Sequence, residues 1–94
     1  MAKYLVIYPK NKDAEKMLIK LIAGKQLEAA KRKLSRYKLS FNFIIILNPV
    51  KLILESDYPA LLTTTKKLIE KAIPSNILTF KEFENKYEAF NYGG

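Results

Sequence analysis

The stretch FNFIIILNPVKLILES, residues 41–56, decides the fold. Residues 41–47 are aromatic or aliphatic apart from Asn42, and after Asn48-Pro49-Val50 a second strand-like run, residues 51–55, sets Leu52, Ile53 and Leu54 between Lys51 and Glu55. β-branched and aromatic side chains fit a pleated surface, and proline cannot donate to a ladder, so this is strand, turn, strand. The spacing predicts a β-hairpin with a three-residue turn. Because residues 41–47 are apolar on both faces, they are expected at the centre of a sheet, covered on each side.

Working back toward the N-terminus, residues 3–8 read as another strand, stopped by Pro9. Asn11 offers a helix N-cap, with Asp13 and Glu15 in the first turn. From residue 13 to 37 the pattern is helical, but its apolar stripe changes phase. Ala14, Met17, Leu18, Leu21 and Ile22 make one stripe, and Leu27, Ala30, Leu34 and Tyr37 another, rotated by roughly half a turn on a 100° wheel. One straight helix cannot bury both stripes against one surface. The break falls at Gly24, where a positive φ is open to the chain, so helices over 12–23 and 26–38 are expected.

Working forward, Asp57 is expected to cap a helix with Pro59 in its first turn, ending before Pro74. Leu61, Leu62, Leu68, Ile69, Ala72 and Ile73 share its apolar side. Residues 76–78 suggest a short strand. Thr79 and Glu82 then read as a T-x-x-E capping box, with Leu78 stapled onto Phe83, opening a last helix over 80–90 that turns Phe83, Tyr87 and Phe90 inward. The order is β-αα-β-β-α-β-α. It predicts one α+β domain: a ferredoxin-like βαββαβ sandwich with a bent or split first helix and an extra C-terminal helix. The alternative is a winged helix-turn-helix about Gly24, with residues 41–55 as the wing. A wing is normally exposed, which FIIIL does not suit, and Lys20 stands where that motif has a small residue.

The charge is segregated. The net charge is +8, and the whole excess lies in residues 1–40, which carry 11 basic and 3 acidic side chains. Segregated positive charge is the footprint of a phosphate-backbone binder. On the wheel Lys25, Arg32 and Arg36 fall within roughly 40° of each other, opposite Leu27 and Leu34, with Lys33 beside them. Lys12, Lys16 and Lys20 form a second row at i, i+4, i+8. Lys31 and Lys38 border the apolar edge. These seven residues, Lys12, Lys16, Lys20, Lys25, Arg32, Lys33 and Arg36, are the candidate nucleic-acid contacts. DNA or RNA of low sequence specificity is the expected partner, because phosphates carry no base identity. The alternative is an inhibitor or adaptor meeting an acidic protein surface, of the kind viruses and other mobile elements encode.

Alternating aromatics on the strands, Tyr4 and Tyr8 on one and Phe41 and Phe43 on another, suggest a homodimer interface through the sheet, or cover by the C-terminal helix. Base stacking on them is a weaker reading, since KLILES lacks the glycine-aromatic motif of the RNA-recognition version of this fold. The terminal YGG resembles the tail of ubiquitin-like modifiers, but the resemblance spans two residues and the tail follows an expected helix. With no histidine and no cysteine, His-based triads, thiolate metal sites and Cys nucleophiles are excluded. Glu55 and Asp57 are the one acidic pair suited to Mg²⁺-dependent cleavage. No cofactor, no metal and no membrane contact is expected. The apolar run at residues 5–8 is too short for a signal core, so a cytoplasmic protein is expected. Fifteen lysines against two arginines suit a low-GC genome or a thermophile.

Overall fold

A computed structural model describes residues 2–36 and 40–93, leaving aside the side chains of Gln26, Ala30, Lys31, Lys33, Leu34 and Ser35. The elements run β1 (Lys3–Pro9), α1 (Lys12–Ala23), α2 (Lys25–Arg36), β2 (Asn42–Leu47), β3 (Val50–Ser56), α3 (Pro59–Ala72), a 3-10 turn (Ser75–Ile77), β4 (Leu78–Phe83) and α4 (Lys86–Asn91). The chain is an α+β protein with one four-stranded sheet in the order β2-β3-β1-β4, and every neighbouring pair is antiparallel. This arrangement is compatible with the ferredoxin-like class. The split first helix and the C-terminal helix are both present. The inward placement expected for Ala30, Leu34 and Tyr37 lies outside the described residues.

One face of the sheet carries α1, α2 and α3. Leu5, Ile7, Leu52, Leu54 and Phe41 meet Ala14 and Leu18 of α1, Leu27 of α2 and Leu62 and Ile69 of α3 in one cluster. The other face is smaller: Tyr4, Val6 and Ile53 bury against Ala89 of α4. The period of two along β1 sorts its side chains between these two cores.

Several expectations are corrected. β2 is an edge strand, and β3 is the central one, buried at six of its seven positions. The hairpin turn has two residues, not three, because Leu47 pairs with Val50 across a cis Asn48-Pro49 bond. Gly24 separates α1 from α2 as expected, but with φ −75° and ψ 163°, so extended backbone rather than a positive φ makes the break. Met17 on α1 and Leu68 and Ala72 on α3 are exposed, not core.

Asp57 is not the cap of α3. Tyr58 holds that place without a side-chain cap, and the Ser56 hydroxyl accepts from the Tyr58 N–H while donating to the Ser40 carbonyl. Thr79 and Glu82 form no capping box, since both lie in β4, opposite Tyr8 and Leu5 of β1. The last helix begins at Lys86, where the Asn85 side chain accepts from the N–H groups of Tyr87 and Glu88. That shift of start rotates the helix: Ala89 points inward and Tyr87 is 78% exposed.

The tail returns to the sheet. Gly93 has φ +78°, and a Cβ there would lie 2.7 Å from the Tyr8 ring. Gly93→Ala combines backbone strain with that clash, and is expected to cost about 1–2 kcal/mol. Thermal melts should show a Tm lower by roughly 4–8 °C per kcal/mol for a chain of this size.

Candidate nucleic-acid interface

The buried positions of α1 fix where its lysines go. Ala14 and Leu18 are fully buried, so Lys12, Lys16 and Lys20 project from the opposite side, and all three are exposed. In α2 only Leu27 is described as buried. Lys25, Arg32 and Arg36 lie opposite it on the wheel and are exposed. Each row is thus presented in a fixed direction by a folded helix, away from the sheet. The Lys33 side chain, and Lys31 and Lys38 at the apolar edge, lie outside the described residues.

The break at Gly24 brings one lysine from each row, Lys20 and Lys25, to a common notch. Met17, Lys20, Leu21, Gly24 and Lys25 line a notch of about 370 Å³ closed on its far side by Ala72, the last residue of α3, and Ile73 just after it. It shares Leu21 and Ala72 with an apolar depression of about 520 Å³ that also includes Leu27, Leu68 and Lys71. Lys71 therefore joins the cationic surface. Lys71 is not among the candidate contacts read from the sequence, because only helix packing sets its depression against the notch that holds Lys20 and Lys25.

The four sheet aromatics do not form one surface. Tyr4 and Tyr8 alternate with Leu5 and Ile7, and Tyr4 is buried with α4. Phe41 and Phe43 lie on the helical side, in edge-to-face contact at 4.9 Å, with Phe41 buried in the main core.

The acidic pair is engaged by protein donors. Glu55 accepts from the Asn42 amide at 2.9 Å and from the Tyr4 hydroxyl, and Asp57 accepts from the Ser40 hydroxyl at 3.0 Å. These bonds, the Asn42 one foremost, hold the Glu55 carboxyl below the usual range, while Glu55 pushes the Tyr4 hydroxyl above its own. Among the described residues no three metal-ligating side chains come together. A carboxyl with a depressed folded pKa adds stability above its unfolded value near 4.5, and loses it as pH falls through the folded value. Urea unfolding at pH 6 and pH 3 should therefore show a steeper acid loss for the native protein than for Glu55→Gln.

Comparison of the chain with protein-family models, curated proteins and solved structures returns no match. None of the helices is long and apolar enough to cross a membrane, among the described residues.

Proposed function

We propose that the protein binds nucleic acid without catalysing a reaction, and that α1 and α2 grip the phosphate backbone. The observation that carries this reading is the exposure of Lys12, Lys16, Lys20, Lys25, Arg32 and Arg36 on two consecutive helices of one layer. Long cations spaced along a rigid surface reach successive phosphates and release their counterions, which drives binding. Lys33 belongs to the same set by its place beside Arg32, and Lys71 extends the set across the notch. DNA or RNA is bound with low sequence preference in this reading, since cations on phosphates make no base-edge contact. The test is fluorescence anisotropy with single- and double-stranded DNA and RNA of equal length. Binding with little dependence on sequence is expected, and absence of binding to all four at low salt contradicts it.

A second reading rests on the apolar floor between α1, α2 and α3. Met17, Leu21, Leu68 and Ala72 are edged there by Lys20, Lys25 and Lys71. That pattern suits an amphipathic acidic segment of a partner protein. It favours an adaptor or inhibitor if the nucleic-acid titration is negative.

A further inference from the structure

Strand β2 has the composition of a central strand and the position of an edge strand. Residues 42–47, Asn-Phe-Ile-Ile-Ile-Leu, carry no charge and no proline, whereas the opposite edge, β4, carries Lys81 and Glu82. On β2, Ile45 is 47% exposed and Leu47 68%. Edge strands are normally blunted by charge, proline or a bulge, because their free backbone groups recruit another strand.

The sequence also says which strand. Residues 42–48, NFIIILN, form a chemical palindrome about Ile45. Antiparallel pairing of this segment with itself, centred on Ile45, sets Ile45 against Ile45, Ile44 against Ile46, Phe43 against Leu47 and Asn42 against Asn48. Every apolar residue meets an apolar one, the two ends meet amide to amide, and no like charges are opposed despite +8 on each chain. A shift of the centre to Ile44 would set Asn42 against Ile46. We propose that β2 is the seam of a homodimer, pairing antiparallel with β2 of a second copy about a two-fold axis through Ile45.

The register has a geometric consequence. Phe43, Ile45 and Leu47 pair with Leu54, Leu52 and Val50, which face the helical layer. A two-fold through a residue pairs odd positions with odd ones, so both copies keep their helices on the same face of the joined sheet. The rows of α1 and α2 from both copies then share one side. This last point rests on the nucleic-acid reading, but the dimer itself does not.

The dimer is tested without nucleic acid. Light scattering should give twice the 10.9 kDa chain mass, with association strengthening as salt screens the like net charges. The chain has no cysteine, so a single introduced one reports cleanly. Directly opposed Cα atoms lie about 4.5–5.5 Å apart, within disulfide reach, so Ile45→Cys should oxidise to a covalent dimer. Leu47→Cys should not, because four residues of offset place the two sulfurs' backbones about 13 Å apart. Ile45→Lys and Ile45→Glu should each be monomeric with native circular dichroism, and their equimolar mixture should recover the dimer mass. A native protein of 10.9 kDa at all concentrations, or equal cross-linking at positions 45 and 47, overturns the proposal.

Discussion

Replacing Lys25, Arg32 and Arg36 together by alanine is expected to lower nucleic-acid affinity by roughly two to three powers of ten at 0.1 M salt. Each phosphate neutralised contributes about 0.9 to the slope of log affinity against log salt for duplex DNA. Three lost contacts therefore flatten the slope by about 2.7, and the same exponent sets the affinity loss relative to 1 M salt. All three side chains are exposed and opposite Leu27, so the variant should keep its fold and its melting temperature within a few degrees. Anisotropy titrations of both proteins at several salt concentrations measure slope and affinity together. An unchanged slope would remove α2 from the interface.

The second large effect concerns Lys51. It is 1% exposed, on the same face as Ile53, and its ammonium donates to the carbonyls of Phe90, and of Tyr92 at 2.9 Å. A six-residue helix has little stability of its own, so α4 depends on this anchor and on Ala89. Burial pushes the Lys51 amine below its ordinary value of 10.5. The charged form is therefore less favoured in the folded chain, a cost present at neutral pH and relieved as pH rises through the lowered value toward 10.5. The two carbonyl bonds offset it. Lys51→Ala strands both carbonyls and opens a cavity, and is expected to cost about 3–5 kcal/mol. A small domain holds only about 5–15 kcal/mol in all, so this is a large share of it. Lys51→Met keeps the volume and loses the donors, at about 2–3 kcal/mol. Urea unfolding measures both, and amide exchange should show α4 loosening before β3.

Much of the architecture was legible from local chemistry. The run-proline-run pattern at residues 41–56 announced the hairpin, the phase change around Gly24 announced two helices, and Pro59 marked the start of α3. What was not legible depended on neighbours. Residues 78–83 fit both periods, and the strand won because β1 has a second edge whose backbone groups need partners. A T-x-x-E sequence cannot report that edge. Asp57 looked like a cap, but Ser40, distant in sequence, holds it. The apolar β2 looked central, but composition does not record a strand's place in the sheet order, and β2 lies at the edge. For the candidate site, the helical rows followed directly from periodicity, whereas Lys71 joined them only through the packing of α3 on α1. Lys51 carried no such signal, because it shares its strand face with Ile53 and the charged Glu55, and only the fold brings the Phe90 and Tyr92 carbonyls to it.

In the proposed function the α1–α2 layer binds phosphate backbones through a fixed set of cations. The most direct test is the salt dependence of native binding to a duplex DNA by anisotropy. Six helical cations, at about 0.9 each, predict a log–log slope near −5 and a loss of roughly a thousandfold between 50 and 200 mM salt. A flat slope, or no binding at 50 mM, would contradict it.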